Sequence, residues 1–202
     1  MALYLTSFLC GATIMTLEIL GFRLLAPYFG YSISIWGSLL GVVMMAMTAG
    51  YYMGGFLADR RPHSGMLYLM VLVAAGYTFL LLFTYPAIMR FSAQFDLVAG
   101  SLLATLLLFA IPMTTLSTVS PFVIRLLARE GGVGTAAGRI YAISTVGSIV
   151  GTFLTSFYLI PTIGTRASLM ASVATLTLMS GLGLLASGAR EWRRRELAPT
   201  SP

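Results

Sequence analysis

Charge is so scarce in this chain that the scarcity alone excludes most folds. Only 9% of the 202 residues are charged, 58% are hydrophobic, and the mean hydropathy is +0.92. A soluble domain has about a quarter of its residues charged, because polar groups must cover its surface. The composition therefore excludes an ordinary soluble enzyme, a disordered chain and, despite the basic balance, a nucleic-acid-binding protein. We expect an all-α, polytopic membrane protein embedded in a lipid bilayer.

Six transmembrane helices are expected from the apolar runs. About 20 apolar residues cross the hydrocarbon core of a bilayer, and Pro, Gly or clustered charges mark the breaks between runs. The predicted helices cover residues 4–27, 32–57, 66–89, 97–119 with a continuation to 128, 137–160 and 166–187. Residues 1–188 then form a half-transporter-like six-helix bundle, and residues 189–202 form a basic cytoplasmic tail.

The placement of arginine predicts the orientation of these helices. All twelve basic residues are Arg. If six helices alternate, one side of the membrane carries Arg60, Arg61, Arg125, Arg129, Arg139, Arg190, Arg193, Arg194 and Arg195. The other side carries only Arg90 and Arg166, and Arg23 lies within the first helix. Cytoplasmic loops are the ones enriched in Arg and Lys, so both termini are expected in the cytoplasm and the protein in the inner (cytoplasmic) membrane.

Glu18 is the only acidic residue expected deep inside a span. A carboxylate at that depth is unfavourable, and intramembrane acids commonly mark ion or substrate paths. Glu18 is therefore a candidate cation or proton site, although a structural hydrogen bond to a neighbouring helix is an alternative. Arg23 lies about 140° around the helix from Glu18, at 100° per residue, so it either joins the site or extends to the outer headgroups. An aromatic belt explains Trp36 and the nearby tyrosines.

The fourth predicted helix is interrupted by two prolines and a run of hydroxyl residues. Each of Pro112 and Pro121 removes a backbone donor, and five hydroxyl side chains between them can bond carbonyl groups in their place. These residues are Thr114, Thr115, Ser117, Thr118 and Ser120. Broken helices at this depth often border a binding cavity. A cavity lined by these hydroxyls and a simple kink are both open.

Small residues recur on the second and fifth helices, where they permit close helix packing. Gly37, Gly41, Ala46, Gly50 and Gly54 follow the second helix, and Gly147 and Gly151 follow the fifth. Packing within one bundle, a substrate path and an oligomer face are all compatible with the pattern. Cys10 is the only cysteine, so neither a disulfide framework nor a cysteine metal site is expected. We expect no cofactor and no metal.

Two stretches carry a more specific pattern. The first reads EILGFRLLAPYFGYS at 18–32, WGS at 36–38 and GYYMGGFLADR at 50–60. The second contains the proline-flanked run at 112–121, GRIYAISTVGSIVGT at 138–152 and LIPTIGT at 159–165. Together they resemble the membrane region of the spermidine-synthase-like membrane proteins, in which a transporter-like region is fused to a spermidine synthase. The resemblance adds Tyr141, Ser144 and Thr145 to the candidate substrate or ion site.

The family resemblance implies a partner rather than a catalytic site in this chain. In the family, a soluble Rossmann-like domain follows the membrane helices, resembles aminopropyltransferases and would bind decarboxylated S-adenosylmethionine. No position in these 202 residues matches a catalytic residue of that domain. We expect a non-catalytic membrane subunit, with the soluble part either separately encoded or removed by truncation. The basic end of the chain could bind that subunit or anionic lipid.

A third pattern lies at the cytoplasmic end of the second helix. Gly55, Asp59 and Arg60 look like the start of the loop signature between helices 2 and 3 of major-facilitator transporters, in which six helices form one half. Pro62, His63 and Ser64 depart from that signature. The resemblance implies a gating loop at these residues, and an ordinary charge pair at a helix end is the alternative.

Three hypotheses about function remain open at this point. The chain is a membrane subunit that recruits a soluble spermidine-synthase-like enzyme and passes a small cationic solute, a half-size transporter that acts as a homodimer, or a structural protein that assembles a larger complex. The first two are compatible with each other.

Overall fold

The computed structural model describes residues 1–128 and 132–196, with side chains described as far as Gly188. Within these ranges the chain is helical and contains no strand. The elements are α1 (Ala2–Phe29), α2 (Ile33–Arg60), α3 (Ser64–Ser92), α4 (Leu97–Ser117), α5 (Val119–Leu127), α6 (Val133–Leu154), a π-helical turn (Thr155–Leu159) and α7 (Ile160–Glu196).

Five helical segments are long and apolar enough to cross a membrane. They are Ala2–Phe29, Ile33–Arg60, Ser64–Ser92, Leu97–Leu127 and Val133–Gly188. The chain is therefore a multi-pass, all-helical membrane protein, which confirms the class expected from the scarcity of charge. The last segment covers both the fifth and the sixth predicted helices.

The four N-terminal segments alternate in direction. The α1 helix packs antiparallel to α4, since Gly21 meets Phe109 and Phe29 meets Gly100. The α2 helix runs parallel to α4 and α5: the Ser101 hydroxyl donates to the Ser38 hydroxyl at 2.9 Å near one end. At the other end, Asp59 pairs with Arg125.

The last helical segment packs in opposite directions before and after Gly164. The α6 helix runs parallel to α1, because Gly147 lies against the Phe8 backbone and Gly151 against that of Ala12. The α7 helix runs antiparallel to α3: Gly183, near its end, lies against Tyr68, which is near the start of α3.

Two glycines adopt a backbone conformation that other residues rarely reach. Gly30 follows α1 with φ 81° and ψ −171°, and Gly164 lies inside the α7 assignment with φ 80° and ψ 171°. This region of backbone space is essentially restricted to glycine. Each glycine comes three residues after a proline, Pro27 or Pro161, so the same short sequence pattern is found at both places.

The sequence predicted these boundaries only in part. Pro27 and Gly30 were expected to end the first helix; α1 continues through Pro27 to Phe29 and ends at Gly30. A break over 161–164 was expected, but Gly164 alone departs from helical geometry. The expected interruption of the fourth helix lies at Thr118, between α4 and α5. Membrane helices tolerate proline where neighbouring groups and local adjustments satisfy the freed carbonyl, which explains the first difference.

Close contacts at small residues define the centre of the bundle. A Cβ atom added at Gly50 would overlap Ser117, and one at Gly54 would crowd Thr118, so α2 lies directly against α4 and α5. By contrast, Gly37 and Gly41 have no neighbour within 4 Å of such an atom. Of the predicted glycines on α2, only the two nearer Asp59, Gly50 and Gly54, therefore make close contacts within the described structure.

Candidate functional site

A polar cavity of about 140 Å³ lies between α1, α2, α4–α5 and α6. Seven of its lining residues carry hydroxyl groups, a large share for a site at membrane depth. They are Tyr51, Ser117, Ser120, Tyr141, Ser144, Thr145 and Ser148. The remaining lining residues are Cys10, Gly11, Ile14, Met15, Met47 and Leu116. The lining of the cavity therefore combines hydroxyl groups with small, aliphatic and thioether groups.

The break between α4 and α5 contributes only part of its hydroxyl run to the cavity. Ser117 lines the cavity, and its Oγ donates to the Met113 carbonyl at 2.7 Å and lies 3.0 Å from the Thr114 carbonyl. Ser120 lines it as well. The break therefore borders a cavity and does more than bend the helix.

The other predicted hydroxyls of this run have structural partners. Thr114 donates to the Ala46 carbonyl on α2 at 3.0 Å. Thr115 bonds the carbonyls of Ile111 and Pro112 in its own helix. Thr118 is buried and donates to the Thr115 carbonyl at 2.7 Å. The structure brings none of these three to the cavity lining.

The α6 helix supplies the opposite wall, because glycines let it approach α1. The Ser148 hydroxyl donates to the Gly11 carbonyl at 3.2 Å, and Ser144 lies against Gly11. Tyr141, Ser144 and Thr145, which the family resemblance had added to the candidate site, all line the cavity. Further along, Thr16 and the π-helical Thr155 share a buried hydroxyl hydrogen bond of 2.8 Å.

Glu18 lies one helical turn beyond the cavity on the same face of α1. Gly11, Ile14 and Met15 line the cavity and lie within about 60° of Glu18 around the helix, at 100° per residue. Side chains lean toward the N-terminus of their helix, which places the Glu18 side chain on the cavity's side of its own backbone position, although Glu18 is not one of the residues that line the cavity. Glu18 is half-buried. The one ion pair within the described residues joins other groups, so Glu18 has no charged partner there.

Arg23 does not join this site. It is exposed, as expected for an arginine that extends to the headgroups. Beyond Glu18 on the cavity face comes Phe22, whose ring lies 4.4 Å from that of Trp36 and 5.5 Å from that of Tyr31, centroid to centroid. This aromatic cluster lies between α1 and α2, beyond Glu18 toward the C-terminal end of α1.

The cavity is open sideways between α2 and α6. The backbones of these two helices, both fully described, do not approach each other, and the Tyr51 and Tyr141 side chains lie near each other in the space between them. Tyr51 on α2 is 42% exposed and Tyr141 on α6 is 55% exposed, although both line the cavity. The floor of this opening is the α1 face that carries Glu18. A polar recess with a carboxyl group is thus accessible from one flank of the bundle.

The predicted gating loop contains one interhelical ion pair. The Arg125 Nε lies 2.7 Å from an Asp59 carboxylate oxygen and ties the end of α2 to α5. The Arg60 guanidinium lies 4.0 Å above the Phe56 ring on the same helix. Gly55 has open space around it. Sequence reasoning did not identify Arg125 as the partner of Asp59, because the pairing depends on α2 and α5 running parallel.

Several cavity residues were not predicted. Tyr51 falls within a glycine-rich segment that indicated packing, and Ser148 falls between the packing residues Gly147 and Gly151. Ser120, by contrast, was named in the predicted hydroxyl run, and it lines the cavity. The small-polar pattern Ser144, Thr145, Ser148 on one helix face was the available signal for Ser148. No group of three or more His, Cys, Asp or Glu side chains lies together in the described part.

Comparisons with known proteins give no relative for this chain: no family model, no curated protein and no solved structure matches it.

Proposed function

We propose that this chain is a non-catalytic integral membrane subunit of a spermidine-synthase-like system. It binds and passes a small cationic solute through the polar cavity, and it docks a separate, soluble Rossmann-type enzyme on its cytoplasmic face. The observation that carries the solute-binding role is the cavity itself: three helical segments, α2, α4–α5 and α6, bring seven hydroxyl groups together, with the only deep carboxyl group one turn away on α1. Resemblance of the two sequence stretches to the family supports the link to the enzyme.

The proposal includes six membrane crossings with both termini in the cytoplasm. A helix of 56 residues, such as Val133–Gly188, would be about 84 Å long at 1.5 Å per residue, far more than the roughly 30 Å hydrocarbon core. The opposite packing directions of α6 and α7 support two crossings on either side of Gly164. The arginine distribution supports the orientation and the inner membrane.

Glu18 is the residue on which the solute-binding role depends. Protein in liposomes can be adsorbed to an electrode that records charge displacement when ethylammonium chloride is added; permeation of neutral amine moves no charge and gives no signal. We expect a transient current from the wild type and at least a tenfold smaller one from Glu18→Gln, because the carboxylate that holds the cation is gone. Glu191→Gln is the matched control, since it makes the same change outside the bundle. Equal currents from wild type and Glu18→Gln would remove Glu18 from the mechanism.

The docking role rests on the basic cytoplasmic end of the bundle. Arg60, Arg61, Arg125 and Arg139 lie at the ends of α2, α5 and α6 on this side, and all four are exposed. A soluble partner with an acidic surface would meet them. Affinity purification from native membranes should recover a Rossmann-type protein; recovery of this chain with lipid only contradicts the docking role.

A half-size major-facilitator-like transporter that acts as a homodimer is the second candidate. The lateral opening between α2 and α6 favours it, because a recess containing a carboxyl group is poorly solvated by lipid tails and a second copy would cover it. Cross-linking through single cysteines placed on α2 and α6 in native membranes distinguishes this candidate: it requires dimers.

A further inference from the structure

We infer that the cavity selects a small organic cation with a single primary ammonium group and a short apolar body, and discriminates against dications. This inference rests on the proposed solute-binding function and specifies the chemical class of its ligand. It depends on three properties of the site: its size, the directions of its hydrogen bonds, and its single carboxyl group.

The size excludes a bare metal ion as the natural occupant. A protein cavity of roughly 150 Å³ accommodates a benzene-sized molecule, and this one measures about 140 Å³. A ligand of about five or six non-hydrogen atoms therefore fits. Ile14, Met15, Met47 and Leu116 also line the cavity, and they provide contacts for hydrocarbon groups and none for a hydrated ion.

The hydrogen bonds leave acceptors facing the cavity. A serine hydroxyl has one proton and two lone pairs. The Ser117 proton is directed to backbone carbonyls of α4, and the Ser148 proton to the Gly11 carbonyl. Both oxygens therefore offer lone pairs to a ligand. An ammonium group has three N–H donors and matches these two acceptors, whereas a quaternary ammonium has none and a carboxylate would be repelled by the Glu18 carboxylate.

The charge of the site matches one positive charge. Glu18 is the only carboxyl group on the cavity face of α1, and no other acidic residue lies away from a helix end in the described spans. The ammonium group is placed near Glu18, so the other end of the ligand lies toward Tyr51 and Tyr141. No anion is available there for a second ammonium group, and an unpaired charge at membrane depth is strongly unfavourable. The second charge of a dication would therefore lower affinity.

Isothermal titration of the full chain tests this selectivity. The protein is placed in nanodiscs of phosphatidylcholine, which has no net charge and so adds no anionic surface, with empty nanodiscs as the blank. The probes are butylammonium, 1,4-diammoniobutane, tetramethylammonium and butyrate. We expect butylammonium to bind at least tenfold more tightly than each of the other three. Glu18→Gln should weaken its binding at least tenfold, Glu18→Asp should retain part of it, and Glu191→Gln should leave it unchanged.

The outcomes separate this inference from the function on which it rests. If 1,4-diammoniobutane or tetramethylammonium binds as tightly as butylammonium and still depends on Glu18, the single-ammonium specificity is wrong while the solute-binding function stands. If no cation binds to wild-type protein that elutes as a single folded species, both are wrong. Glu18→Asp is the control because it keeps the carboxylate. If it retains affinity, weaker binding by Glu18→Gln is due to the missing carboxylate and not to a folding defect.

Discussion

The absence of a side chain at Gly147 lets α1 and α6 approach each other closely. These two helices form two walls of the cavity. A Cβ atom at Gly147 would overlap the backbone carbonyl of Phe8, which cannot rotate away as a flexible side chain would. Close approach of this kind is the usual reason for small residues at helix interfaces in membranes.

Gly147→Ala should therefore destabilise the protein. Overpacking of this kind costs about 1–3 kcal/mol, enough to lower Tm by several degrees, since 1 kcal/mol is about 2–4 °C at this chain length. Gly138→Ala in the same helix is the control, because nothing lies within 4 Å of a Cβ atom there. Thermal unfolding in detergent measures both; a Tm for Gly147→Ala at or above that of Gly138→Ala contradicts the packing described here.

At the scale of residues, the sequence predicted which types of side chain form the site better than it predicted which of those side chains line the cavity. Ser117 was predicted because a hydroxyl run between two prolines indicates a broken helix, and it does line the cavity. Thr115, from the same run, bonds carbonyls in its own helix. Tyr51 was missed. Which member of a run faces inward depends on helix rotation and on the neighbouring helix, and neither is set by local sequence.

At the scale of helices, a single residue, Gly164, changes the direction of the chain. Its φ of 80° and ψ of 171° lie in a region that costs a residue with a side chain about 1–3 kcal/mol. There is open space around it, so any penalty for a side chain arises from the backbone and not from a clash.

Gly164→Ala should lower stability by about 1–3 kcal/mol through this backbone strain. Gly164→Asn should be no better, since asparagine tolerates the left-handed helical region and not this one. Gly181→Ala, in the helical part of α7 with open space around it, is the matched control. Urea or detergent-denaturation curves compare the three; stability of Gly164→Ala equal to that of Gly181→Ala would contradict the strain argument.

Helix boundaries were predictable only where a glycine or a charge cluster marks them. Ser32 and Asp96 each cap the helix that follows, close to the predicted starts. Pro27 and Gly30 were expected to end the first helix, and α1 passes Pro27 and ends at Gly30, because membrane helices tolerate proline where neighbouring groups and local adjustments satisfy the freed carbonyl. The continuation of helical geometry through Pro161 has the same explanation.

At the scale of the whole molecule, the number of crossings has a direct test. Cys10 is the only cysteine and is buried, so Cys10→Ser provides a background for single cysteines at His63, Gln94 and Ile163. With six crossings, a membrane-impermeant maleimide should label Gln94→Cys and Ile163→Cys from outside intact spheroplasts, and His63→Cys only after lysis. Labelling of Ile163→Cys only after lysis would contradict a crossing on either side of Gly164.

The class of the whole molecule could be predicted from composition. The number of charged residues available to cover a soluble surface is a property of the whole chain and does not depend on which residues contact each other. The cavity could not be predicted in this way, because it depends on the parallel packing of α1 with α6 and of α2 with α4. Those pairings bring together residues more than 100 positions apart, such as Gly11 and Ser148, and no local pattern records them. What the sequence did indicate was the one deep carboxyl group to look for.

The position of the two glycine turns has a mechanical consequence. Gly30 joins α1 to α2, and Gly164, inside α7, separates the part that continues from α6 from the rest of α7. Both turns lie at the ends of the bundle away from Asp59 and Arg139. Two helices joined by such a short turn stay close at their joined ends, so any relative motion separates them most at the opposite ends. Any widening of the space between α1 and α2 is therefore largest toward the Asp59–Arg125 pair.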